Sequence, residues 1–100
     1  MAKAQKFDAA ENLDSPQAIA DYLSEAFETG DEEFIAIAIG TVARAKGMTG
    51  IAKDAGLNRE NLYRALSEGG KPEFGTVMKV LNSFDVQLVA KPKDTTKVAA

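Results

Sequence analysis

The chain contains no cysteine and no histidine. Without thiols there is no disulfide framework and no thiolate metal site. Without imidazole it lacks the commonest general base and the commonest metal ligand. No nucleophile–base pair or ligand set can be assembled from spacing, so an enzyme is the least expected class and no metal or cofactor is implied. Tryptophan is absent and aromatics are sparse, so a core must rest on Ala, Leu, Ile, Val and five Phe. Long apolar runs are missing as well. The longest, Phe34 to Ile39, is far too short to span a bilayer. The opening Met1-Ala2-Lys3-Ala4-Gln5-Lys6 lacks the apolar stretch of a signal peptide. A soluble cytoplasmic protein that does not engage membranes is the expectation.

What is present suits one compact domain. At 100 residues and 45% hydrophobic composition, the chain can bury a single core. Its net charge of −3 speaks against a generic nucleic-acid binder, but the charge is uneven. Residues 1–47 carry four basic and nine acidic side chains, and residues 48–100 carry eight and six. An acidic front and a mildly basic back suggest two working surfaces; the plainer alternative is two solvated faces.

Local signals place five helices. Residues 1–14 are expected to be irregular, with Phe7 and Leu13 available to pack as anchors. Ser15-Pro16 marks a helix start, and Ala18, Ile19, Tyr22, Leu23, Ala26 and Phe27 form an amphipathic stripe ending at Gly30. Asp31 opens a second helix with Glu32 and Glu33 in its first turn, where the dipole favours acids. Phe34 to Ile39 are apolar nearly all round, the pattern of a central, buried helix. Gly40 costs about 1 kcal/mol against Ala in a helix interior and suggests close packing. Thr49 is read as the cap of a short helix through Ala55, and Asn58 as the cap of another to about Ser67. Gly69-Gly70 and Pro72 break the chain. A fifth helix, about Glu73 to Phe84, is expected to turn Phe74, Val77, Met78, Val80, Leu81 and Phe84 inward. Val86 to Ala90 alternates weakly and is read as a short strand. Residues 15–90 thus form the domain, and 91–100 a disordered polar tail.

The informative segment is Met48 to Leu66. Two short helices that cross closely need a small residue at the approach, a glycine at the sharp turn and a hydrophobic residue after it. Ala52, Gly56 and Leu57 supply these in one register. Leu62 and Leu66 plug the core beside Ala65, Ile51 and Ala55 complete the inner face, and Asn58, Arg59, Asn61 and Arg64 fill the outer face. The pattern predicts a helix-turn-helix; a merely structural helix pair is the alternative.

The segment resembles the helix-turn-helix of the lambda repressor and Cro superfamily. Beyond it, Phe7-Asp8-Ala9-Ala10-Glu11, Gly40 to Thr49, Gly56 to Ser67 and Pro72 to Leu81 resemble the HigA-like antidote proteins of addiction modules. The resemblance covers roughly residues 7–92. It implies an all-α, five-helix repressor-like domain that acts as an antitoxin. It also implies a small basic toxin resembling the RelE and HigB ribonucleases, and repression of the module's own operon. One departure stands out: relatives often carry Gln at the second residue of the first motif helix, where this chain has Gly50. A Gln there can reach a phosphate or brace the second helix; glycine cannot.

If DNA binds, the helix from Asn58 enters the major groove. Arg59 is the first candidate reader, since a guanidinium pairs with guanine O6 and N7. Asn61 can read adenine or brace Arg59. Arg64 can meet phosphate or a base. Glu60 can accept from cytosine or pair with Arg64 at i+4. Thr49 and Asn58 are caps first and phosphate contacts second. Tyr63 can touch phosphate through its hydroxyl or pack against the motif. Lys53 and Lys71 can add charge along the backbone. For each charged residue the alternative is a solvated face. Useful affinity calls for a homodimer on a palindrome, with Val86 to Val89 a possible pairing edge. The acidic front, with Phe7, Asp8, Glu11 and Leu13 as contact residues, is the candidate toxin surface. Rival readings are a stand-alone, phage-like repressor and an interaction module that has lost DNA binding.

Overall fold

The computed structural model describes residues 13–93. Five helices follow one another: α1 (Pro16–Glu28), α2 (Glu32–Lys46), α3 (Met48–Ala55), α4 (Arg59–Ala65) and α5 (Phe74–Ser83). The described chain is a helical domain, as the periodicities require.

The first two helices start where their caps dictate. The Ser15 hydroxyl accepts from the Ala18 N–H at 3.1 Å, and Pro16 occupies the first turn. Ile19, Leu23 and Ala26 form the buried stripe of α1. Gly30, at φ +70°, ends that helix. The Asp31 carboxylate then accepts from the Glu33 and Phe34 N–H groups at 3.1 and 3.2 Å. It thereby satisfies two of the donors that a helix start leaves free.

The core draws on every helix. Ile19, Leu23, Ile39, Val42, Leu62, Leu66, Val80, Leu81 and Phe84 are fully buried, and no polar side chain is buried with them among the described residues. Gly40 explains how α2 reaches the end of α4. A Cβ at this position would overlap the Leu66 carbonyl oxygen and lie 3.2 Å from the Leu66 Cβ. The close packing expected of Gly40 is present, and its partner is Leu66.

Several expectations need correction. Phe34 is 49% exposed, and Ile35 and Ile37 are only half-buried. α2 packs chiefly on α1 and α3, which leaves part of its surface to solvent. On α5, Val80 and Leu81 are buried, with Phe84 just after them, but Phe74 (69%) and Met78 (40%) are exposed. Six apolar residues in eleven positions overfill the stripe that one packing face can cover. Leu13 is 7% exposed and packs in the core, the packing role expected of it, and does not lie open to a partner.

The strand expected over Val86–Ala90 is absent. Asp85 adopts φ +61°, a conformation that Asp tolerates, and turns the chain. Val86 donates its N–H to the Leu81 carbonyl at 3.1 Å. Beyond that, residues 87–93 form neither helix nor strand. A strand exists only as one side of a ladder, and no second strand lies among the described residues.

Candidate nucleic-acid interface

α3 and α4 carry most of the residues singled out for DNA. Gly47, at φ +105°, lets the chain bend by 107° between α2 and α3. This moves the start of α3. The N-cap is Gly47, with no side-chain cap bond, and the Ile51 N–H reaches the Gly47 carbonyl at 3.1 Å. Thr49 therefore sits exposed inside the first turn and does not cap. Burial of Met48 (4% exposed) pulls the helix start inward.

Gly56 forms the turn in the left-handed region, at φ +69° and ψ +36°. Its N–H donates to Lys53 at 3.1 Å, and the Leu57 N–H donates to Ala52 at 2.8 Å. These bonds satisfy the last carbonyls of α3. Two residues later, Asn58 caps α4, its side-chain oxygen accepting from the Asn61 N–H at 2.9 Å. Leu62 and Leu66 anchor this segment in the core, beside half-buried Ala65.

The outward face is as the spacing required. Asn58, Arg59, Glu60, Asn61 and Arg64 are all exposed. The Arg59 guanidinium carbon lies 5.1 Å from the centre of the Tyr63 ring. Tyr63 is half-buried and packs against the core, so this stack steadies an otherwise free cation. The i+4 spacing of Arg59 and Tyr63 was visible in the sequence; the pairing went unread. Glu60 and Arg64 form no ion pair: the one bridge among the described residues joins exposed Lys91 and Glu28 at 3.9 Å. Asn61 does not brace Arg59 through a hydrogen bond.

Lys71 joins this face across a groove of about 350 Å³ that Asn58, Asn61 and Thr76 also line. Lys53 is exposed on α3. A Cβ at Gly50 would meet nothing within 4 Å. The loop after α4 is tied down. A Cβ at Gly70 would overlap the Arg64 and Ala65 carbonyls, and the Gly69 N–H donates to the Glu33 carboxylate at 3.1 Å. No local pattern announced that link across 36 residues.

No cluster of metal-ligating side chains occurs among the described residues. No single described helix is long and apolar enough to cross a membrane. What the site offers is a capped helix bearing Arg59, Asn61 and Arg64, with Asn58 at its cap. Such a set makes directional hydrogen bonds to a polar, anionic partner.

A family model described as a probable addiction module antidote protein matches residues 3–92. The chain belongs to that family. A relative from Haemophilus influenzae, described as an uncharacterized protein, is 48% identical over 81 residues, which is 81% of this chain and 84% of the relative. No solved structure matches the chain.

An antidote has a toxin as its counterpart, so the family implies a toxin partner. That gives the antidote's acidic front a context. Asp14, Asp21, Glu25, Glu28, Asp31, Glu32 and Glu33 are all exposed. Several already serve the fold: Asp31 caps α2, Glu33 holds Gly69, Glu28 meets Lys91, and Asp21 accepts from the Gln17 amide at 2.9 Å. Phe7, Asp8 and Glu11, expected to contact a partner, lie outside the described residues.

Proposed function

We propose that the antidote is a DNA-binding repressor of its own module, and that α3 and α4 are a helix-turn-helix of the lambda repressor and Cro type. The observation that carries this reading is the display of Arg59, Asn61 and Arg64 on one capped helix, pinned from behind by Leu62 and Leu66. In this reading α4 enters the major groove with its first turn at the base edges. Arg59, held over Tyr63, pairs with guanine, and Asn61 pairs with adenine. Arg64, Lys53 and Lys71 supply charge along the phosphates. Thr49, Asn58, Glu60 and Tyr63 border the contact. A homodimer sets two such helices on a palindrome, about 34 Å apart.

The toxin in this proposal is a small basic ribonuclease resembling RelE and HigB, and the acidic front steers it. The protein acts in the cytoplasm and has no catalytic activity of its own. One observation favours a second reading, a module that binds protein alone: the net charge is −3.

Fluorescence anisotropy with DNA from upstream of the gene, at two salt concentrations, tests the proposal. Arg59→Ala is expected to cost about 1–3 kcal/mol and to relax base preference at one position. Arg64→Ala is expected to weaken all sequences alike and to lower the salt slope by about 1. Equal binding to scrambled DNA, with folded protein and toxin supplied, would sink the repressor reading.

A further inference from the structure

Phe34 is 49% exposed although it stands on a helix that supplies Ile39 and Val42 to the core. The helical repeat explains its direction. Successive residues turn by about 100°, so Phe34, Ile37, Thr41 and Ala45 fall on one side of α2, opposite Ile39, Val42 and Ala43. Phe34 and Ala45 are exposed, and Ile37 and Thr41 are half-buried. The Thr41 hydroxyl donates to the Ile37 carbonyl at 3.1 Å, which turns the one polar group of this side back onto its own helix. The outer side of α2 is therefore apolar and uncovered. It lies in a wholly acidic stretch: residues 13–43 carry seven acidic side chains and no lysine or arginine.

We propose that the outer side of α2, with Phe34 as its anchor, is the seat of the toxin, which brings to it a basic surface with an apolar pocket. Family membership supplies the partner, and the proposal rests on the reading of the acidic front for that partner's charge. Charge selects the occupant of an otherwise anonymous apolar face. Glu28, Asp31, Glu32 and Glu33 all lie within six residues of Phe34 and are exposed. A phosphate backbone is repelled here, and so is a second copy of the same patch, because like charges set together across an interface are costly. A basic protein is attracted. Exposed Lys91 already pairs with Glu28 at 3.9 Å, so the patch takes up a cation where one is within reach. Arg44, the nearest basic residue along the chain, is ten residues on, about 15 Å along the axis of α2.

Position agrees. Phe34 stands in the first turn of α2, where the Asp31 carboxylate accepts from its own N–H at 3.2 Å. A ring on a capped helix is in place before the partner arrives, so little freedom is lost on docking. Glu33 and Gly40 mark the side of α2 that meets the end of α4. Phe34 follows Glu33 and is turned from that side by about 100°. The toxin seat is thus separate from the candidate DNA surface.

Surface plasmon resonance of the full chain with the toxin of its own module, at two salt concentrations, tests this. The variants are Phe34→Ala, Phe34→Trp, Glu32→Lys and, as an apolar control on α5, Phe74→Ala. Circular dichroism establishes that each is folded. Wild-type affinity is expected to fall with salt. Phe34→Ala raises the dissociation constant by at least about tenfold, mainly through faster dissociation, and Phe34→Trp restores binding. Glu32→Lys slows association and flattens the salt dependence, and Phe74→Ala changes nothing. A toxin that holds Phe34→Ala as tightly as wild type overturns the proposal. So does one that Phe74→Ala loosens equally, or one indifferent to both salt and Glu32→Lys. Anisotropy with upstream DNA separates this proposal from the repressor reading. If Phe34→Ala loses the toxin and the wild type prefers no DNA sequence, the proposal stands and the repressor reading falls. If operator binding is specific while Phe34→Ala keeps the toxin, the reverse holds.

Discussion

At the scale of the residue, glycine does two different jobs on the helices of this protein. Gly40 is forced by contact, because Leu66 leaves no room for a methyl group. Gly50 is exposed, with nothing within 4 Å of where a Cβ would stand. A helix-forming residue there gains helix propensity at no steric cost. Gly50→Gln is expected to stabilise the fold by about 0.5–1 kcal/mol in urea denaturation. If α3 lies on DNA as proposed, the same change tightens operator binding by adding a phosphate contact. Stability that stays flat or falls would mean that the position is crowded in solution. Arg59 differs from its neighbours in another way: the Tyr63 ring restrains it at 5.1 Å, whereas Arg64 has no ionic partner among the described residues.

At the scale of the element, α4 is seven residues long. A helix so short is not stable by itself. It persists because its start is capped, its back is buried at Leu62 and the following Leu66 packs in the core. The Asn58 cap is the most accessible of these supports. Asn58→Ala leaves the Asn61 N–H without its protein acceptor and is expected to cost about 1 kcal/mol. Asn58→Asp is expected to keep most of it, since either side chain can cap. Thermal melts of the two variants decide the matter, and identical losses would show that the cap contributes nothing. The helices themselves were legible because their signals are local. Ser15-Pro16, Asp31, Gly56 and Asn58 each act on backbone groups within four residues. Thr49 misled because the bend at Gly47 moved the cap of α3 from Thr49 to Gly47. The strand misled because alternation describes one edge and says nothing of a partner.

At the scale of the whole molecule, the close approach of α2 to the end of α4 ties the candidate DNA surface to the acidic front. Gly40 lies against Leu66, and Glu33 holds the Gly69 N–H at 3.1 Å. Gly40→Ala improves helix propensity by about 1 kcal/mol but overpacks a backbone contact, which costs about 1–3 kcal/mol. The expected outcome is net destabilisation in urea, with α4 amides exchanging faster than those of α1. A variant more stable than wild type would mean that the two segments separate easily. Since a domain of this size has only about 5–15 kcal/mol of stability, the shift should be easy to read.

The sequence alone determined where the helices lie, how α1, α2 and α4 are capped, and which residues face outward from α4. Those features follow from interactions within a turn or two of the chain. Only the tertiary structure decided which apolar residues are covered. It buried Leu13, left Phe34, Phe74 and Met78 in the open, and set Gly40 against Leu66. A hydrophobic stripe records that a helix has an apolar face. Whether that face is covered depends on neighbours far away in the chain, and on whether the chain supplies enough of them.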